Sequence, residues 1–173
     1  MIFQAFFRPV TKRYVERRVL KTHPKHLYRI IQDVNSYSKF LPLCSHSQVL
    51  RTFDDGKSFD ATLTVGLPFG PGLQESYVSR VRLYPENYIV ETKSIESKLF
   101  DSLQSRWKLG EIRSDDNMHA CDVEFEVQMT VSDPLVAQVL DKVLEEVAGR
   151  QVEAFEKRCR QLPLPPDLQI KGQ

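Results

Sequence analysis

The chain has 173 residues, 41% of them hydrophobic, and its 24 basic and 23 acidic side chains leave a formal net charge of +1. That length suits one domain with a substantial core and room for a cavity, while the near-neutral balance excludes a general nucleic-acid binder, which needs a basic surface to neutralise phosphates. No run approaches the roughly 20 apolar residues of a spanning helix, so membrane contact is expected to be peripheral; Cys44, Cys121 and Cys159 lack CxxC spacing and an even count, and read as free thiols in a reducing compartment.

Residues 1–31 concentrate positive charge: Arg8, Lys12, Arg13, Arg17, Arg18, Lys21, Lys25 and Arg29 face Glu16 alone. Two readings stay open, a solvated first strand with basic flanks and a targeting or membrane-facing segment. The first fourteen residues contain no acid and mix Phe3, Phe6 and Phe7 with Arg8, Lys12 and Arg13, a pattern compatible with a short mitochondrial targeting sequence over residues 1–13. A first strand is expected over Tyr14 to Leu20. Thr22 is the expected cap of a helix beginning near Pro24 and burying Leu27, Ile30, Ile31 and Val34 at spacings of three and four. A further helical turn is expected at Tyr37 to Phe40, ended by Pro42.

Strand patterns follow at Ser47 to Thr52, Ser58 to Val65, Glu75 to Leu83, Tyr88 to Ser94 and Ser102 to Glu111, separated by turns at Asp54-Asp55-Gly56, Pro85-Glu86-Asn87 and Asp115-Asp116-Asn117. The clearest pattern comes last. From Ala120 to Val131, the residues Cys121, Val123, Phe125, Val127, Met129 and Val131 share one face of a half-buried strand. After the Ser132-Asp133-Pro134 start signal, a long helix carries Val136, Val139, Leu140, Val143, Leu144, Val147, Val152, Phe155 and Cys159 on an apolar stripe. The order of strand, two short helices, six strands and a long helix predicts an α+β domain over residues 14–162 with a strongly bent antiparallel sheet. Residues 163–173, with three prolines, are expected to be a flexible, extended tail.

The long helix closing a curved sheet suggests an apolar cavity, and so a hydrophobic ligand. Strand parity points Ala61, Leu63, Val65, Tyr77, Ser79, Val81, Leu83, Leu103, Ser105, Trp107 and Leu109 inward, an apolar lining with few polar groups. Buried, the Trp107 indole N–H and the Tyr77 hydroxyl would each want a partner. The plainer reading, that these side chains simply fill a core, remains open. The Gly66 to Gly72 loop fails as a phosphate cradle, because no Lys-Ser/Thr or helix pattern follows; it is either an ordinary hairpin loop or a gate presenting Leu67 and Phe69.

Catalytic chemistry is hard to nominate. His23 and His26 are three apart without a third ligand near them in sequence, and His46 and His119 sit two residues from Cys44 and Cys121, so no metal is expected. No GxSxG elbow is present. Asp60, Glu91 and Glu124 fall on the outer strand face and Glu75 at a strand end, leaving no catalytic residue to name, although a cyclase- or hydratase-type enzyme needs only one carboxylate.

Several segments in order carry a resemblance: Asp33 to Cys44 (DVNSYSKFLPLC), Glu75 to Val81 (ESYVSRV), Leu103 to Trp107 (LQSRW), and the Phe125 strand leading to Ala154 to Arg158 (AFEKR). Together they resemble the coenzyme Q-binding proteins of the START-like, polyketide cyclase-related superfamily. The resemblance implies a helix-grip fold, with about seven antiparallel strands curved around the C-terminal helix. It implies binding of ubiquinone or a related polyprenyl lipid as ligand, without another cofactor, by a non-enzymatic carrier or chaperone that supports respiration and quinone biosynthesis. The matching location is the matrix side of the mitochondrial inner membrane, with peripheral membrane contact and quinone-biosynthesis proteins as partners; a homo-oligomer stays open. Bacterial proteins of the same pattern are discussed as ribosome-associated toxins. On this reading Tyr77, Ser79, Ser105 and Trp107 select the head group. Leu63, Val65, Phe125, Val139 and Val143 hold the tail, and Leu41, Leu43 and Phe69 complete the site toward the bilayer. Replacing Trp107 or Leu63 by a polar residue is expected to lower lipid content and leave folding largely intact.

Overall fold

The computed structural model describes residues 7–53, 55–67, 71–113 and 118–169. The first six residues of the expected targeting segment, Phe69 at the 66–72 loop tip, the Asp115-Asp116-Asn117 turn and the last four residues lie outside the described residues.

Seven strands, β1 (Val10–Leu20), β2 (Cys44–Thr52), β3 (Ser58–Gly66), β4 (Gln74–Tyr84), β5 (Ile89–Glu96), β6 (Ser102–Arg113) and β7 (His119–Val131), form one antiparallel sheet in the order β1-β7-β6-β5-β4-β3-β2. Strands β2 to β7 pair with their sequence neighbours, as short turns dictate. The exception is β1, which crosses to pair with β7 along its whole length, Val10 opposite Val131 and Leu20 opposite Cys121. That pairing starts the strand four residues before the expected Tyr14, because ladder hydrogen bonds extend it where apolar alternation is absent. Register shifts at Cys44/His46 and Val49/Arg51 on β2, and at Glu96/Ser94 on β5 opposite Val78/Ser79, bend β2 and β5 and help curl the sheet.

Helix α1 (Pro24–Gln32) and a 3-10 segment (Val34–Lys39) link the two sheet edges. The cap of α1 is His23 rather than Thr22: Pro24 takes the first helical position and holds the residue before it extended, and the His23 ring Nδ1 accepts the Lys25 N–H at 3.0 Å. Helix α2 (Pro134–Gln161) starts at Asp133, whose carboxylate accepts from the Leu135 and Val136 amides. Its buried stripe, Leu140, Leu144, Ala148, Val152, Phe155 and Cys159, lies on the concave sheet face against Trp107, Leu109, Val123 and Phe125. Each large side chain sealed there contributes about 1.5–3 kcal/mol. The helix-grip fold that the resemblance implies is therefore present.

Within the described residues 163–169 the expected flexible tail carries one ordered turn. A short 3-10 turn (Pro166–Leu168) places Asp167 over α1, where it accepts from Arg29 at 2.9 Å and from Lys25 at 2.8 Å.

Candidate functional site

Alternation of side chains along β3, β4, β6 and β7 puts one set of residues on the concave face, and α2 does not fill all the space beneath it. The cavity left measures about 200 Å³. Leu63, Val65, Tyr77 and Ser79 form one wall, Ser105, Trp107 and Phe125 the other; Val143 and Val147 of α2 border it, with Leu41, Leu43 and Leu67 at the rim. Trp107 stacks on Phe125 with ring centroids 4.4 Å apart and meets Phe155 edge-on at 4.9 Å, so aromatic packing stiffens the floor.

Polar groups are few and converge. Thr92 and Ser105 hydroxyls hydrogen-bond to each other at 2.7 Å. Among the described residues Tyr28 Oη is the one fully sealed side-chain polar atom without a partner. Tyr77, Ser79 and Trp107 bring a hydroxyl, a second hydroxyl and an indole to the same lining. Burial holds the Tyr77 and Tyr37 hydroxyls far above the ordinary tyrosine range, keeping both as donors; Tyr37 donates to the Ile31 carbonyl. Among the described lining residues the carboxylate is Glu146, ion-paired with Arg150 one helical turn on.

Leu41, Leu43, Leu63, Val65, Tyr77, Ser79, Ser105, Trp107, Phe125 and Val143 are thus brought together around one space. Val139 is not. It lies on α2 one turn before Val143, is not among the lining residues, and is 41% exposed. Trp107, only 2% exposed, belongs to the core as well as to the wall. Its replacement by a small or polar residue would open a void costing about 3–5 kcal/mol, which corrects the expectation of largely intact folding. Thr92, Phe100 and Met129 also line the cavity. Met129 is in phase with Phe125 and readable from alternation; Phe100 comes from a loop, where no periodicity signals it.

The carboxylates of Asp60, Glu75, Glu91 and Glu124 stand outside the cavity. Asp60 is buried on the outer face between Arg80 (2.9 Å) and Arg51 (3.2 Å), and the Arg80 hydrogen bond holds its carboxyl below the usual range. Glu124 pairs with Arg17 and Glu91 with Arg106. Glu75 Oε1 accepts from Ser97 Oγ, Lys98 N and Leu99 N, fixing the loop that seats Phe100 against Tyr77. His26 is buried with Nε2 3.2 Å from the Cys159 carbonyl and does not share a site with His23. Burial pushes the Cys121 and Cys159 thiols up to about 12 and about 11, so they stay protonated at neutral pH.

The basic first segment is largely neutralised: Lys12 pairs with Asp141, Arg13 with Glu126, Arg17 with Glu124, Arg18 with Glu16 and Glu153, and both Lys25 and Arg29 with Asp167. Among the described residues no helix is long and apolar enough to cross a membrane.

The family model described as polyketide cyclase/dehydrase and lipid transport matches residues 20–156. The mitochondrial coenzyme Q-binding protein COQ10 of Dictyostelium discoideum is 30% identical over 83% of this chain and 66% of its own length, and the Drosophila melanogaster COQ10 protein 26% over 94% and 64%. The chain thus spans about two thirds of the length of these relatives. The ribosome association toxin RatA of Pseudomonas aeruginosa is 29% identical over 86% of this chain and 96% of that protein. Among solved structures, the ZhuI aromatase/cyclase of Streptomyces sp. R1128 superposes with a TM-score of 0.77 at 12% identity, covering 93% of this chain and all of that one. A START superfamily protein of Mycobacterium smegmatis gives 0.74 at 17%, covering 87% and 99%. At those identities the likeness is one of fold.

Proposed function

The chain belongs to the polyketide cyclase/dehydrase and lipid transport family, and from that premise we propose that it binds coenzyme Q or a related polyprenyl quinone under α2 and carries it without making or breaking bonds. The observation that carries this reading is the lining: a largely apolar cavity whose few polar side chains include Tyr77, Ser79, Ser105 and Trp107. Two quinone carbonyls want donors, and the rest of the molecule wants hydrocarbon. The COQ10 relatives, named for coenzyme Q binding and for mitochondria, support the ligand and a mitochondrial location.

At about 200 Å³ the cavity is smaller than the roughly 300–1,000 Å³ usual for a ligand pocket. It suits a head group, with the tail leaving past Leu41, Leu43 and Leu67. Exposed Leu43, Leu73, Leu135 and Val139 make an apolar fringe suited to peripheral contact with the inner membrane from the matrix side. Since most of the bases near the first strand are paired, that contact rests on hydrophobic side chains more than on attraction to anionic lipid. The carrier needs no further cofactor, and quinone-biosynthesis proteins would be its exchange partners.

Organic extraction of the purified protein followed by mass spectrometry tests the reading, with Val143→Trp as the comparison because this half-buried position can take a larger ring without breaching the core. Near-stoichiometric polyprenyl quinone, reduced at least tenfold in a variant that melts normally, is the expected result. An empty protein that also takes up no coenzyme Q from vesicles would sink the carrier. A second reading, ribosome association, is favoured by the match over 96% of a RatA protein; salt-resistant co-sedimentation with ribosomal subunits, unaffected by Val143→Trp, would support it.

A further inference from the structure

We propose that His23, Glu111 and His119 form a site for a borderline divalent transition-metal ion, Zn2+ by its chemistry, which ties the start of α1 to the far ends of β6 and β7. Three elements converge there. In the β6–β7 ladder Arg113 lies opposite His119 and Glu111 opposite Cys121, so Glu111 and His119 are diagonal neighbours on one sheet face. The loop after β1 brings His23 over them, with the two imidazole centroids 4.7 Å apart and tilted 58°. One ligand atom from each of the three residues lies within 4.8 Å of the others, and His119 Nδ1 is 3.7 Å from Glu111 Oε1. None of the three lines the cavity.

Two imidazoles and a carboxylate are a donor set for zinc and its neighbours, and a poor one for Mg2+, which prefers oxygen. Zn–N and Zn–O bonds near 2.0–2.2 Å require the three atoms to draw closer than they stand. Glu111 and His119 side chains are 35% and 43% exposed, so rotamer changes alone can do this. The fourth position would be left to water.

Filling the site has a consequence for α1. His23 Nδ1 now accepts the Lys25 N–H, which places the ring proton on Nε2. Ligation through Nδ1 displaces that amide, and ligation through Nε2 moves the proton to Nδ1; on either route the helix exchanges its cap bond for a metal bond. The Lys25 amide therefore reports on occupancy.

The experiment is calorimetric titration of the tag-free, metal-stripped full chain with Zn2+, with Co2+ absorption and the Lys25 amide resonance as parallel readouts. One equivalent per chain is expected, with a shifted Lys25 amide, a higher Tm and no response to Mg2+. His119→Ala and Glu111→Gln, at partly exposed positions that the fold does not need, should each weaken binding at least about tenfold, while His46→Ala should not. No stoichiometric uptake, uptake undiminished in His119→Ala, or an unmoved Lys25 amide would each overturn the site.

Discussion

Leu43 holds φ at 66°, in the left-handed region, with half its side chain exposed at the cavity rim. That conformation costs a non-glycine residue roughly 1–2 kcal/mol. The neighbouring strand sustains it: the Leu43 carbonyl accepts the Gly66 N–H at 2.7 Å. Strain kept at the edge of a cavity suggests a residue retained for what it touches there. Leu43→Asn, which tolerates the same backbone, is expected to raise stability by about 1 kcal/mol and to lower the quinone recovered on extraction; urea unfolding measured beside quinone content checks both, and a less stable variant would mean that rim packing outweighs strain. Cavity residues such as Tyr77, Ser79 and Trp107 were legible because strand alternation has period two. Glu75 was not, since its three donors sit on a loop more than twenty residues further along the chain.

Helix α2 shows how far a periodic pattern carries. Spacing identified Leu140, Leu144, Val152, Phe155 and Cys159 and their common face, and the Asp133-Pro134 signal marked the start. It could not tell that Val139, read as part of the apolar stripe, is 41% exposed. The tail makes the opposite point: proline-rich composition reads as extended, yet one carboxylate on two cations docks it. The Arg29 hydrogen bond, then Lys25, holds the Asp167 carboxyl far below its usual range. A depressed folded value means that the docking contribution is present above the ordinary carboxylate pKa near 4 and is lost only as pH falls through the lower, folded value. Asp167→Asn should therefore free residues 163–169 at neutral pH, seen as faster amide exchange there with the sheet unchanged. In the wild-type chain the same segment should stay protected from neutrality down to about pH 4; exchange that rises already at pH 6 would contradict the ion-pair account.

At the scale of the whole molecule, a curved sheet with β1 and β2 at its edges, roofed by one helix, is open inside, and a ligand under the roof stabilises the folded state it fits. At a quinone concentration of 100 times Kd the linkage is about 2.7 kcal/mol, or roughly 5–10 °C in Tm for a chain of this size. Delipidated protein should melt lower by that order and recover on reloading; identical melting curves would disconnect the cavity from coenzyme Q. What the sequence by itself determined was local: strand and helix order, the inward parity of β3 to β7, the α2 stripe and the segments that resemble a lipid-binding family, all set by backbone periodicity and turn chemistry among near neighbours. Tertiary structure alone decided that β1 lies against β7, that its bases are neutralised by acids on β7 and α2, that Asp167 returns to α1, and that His23 meets Glu111 and His119. Each of these joins residues far apart in the chain, and pairing at such separations leaves no periodic trace in one sequence, because it depends on where folded elements come to rest.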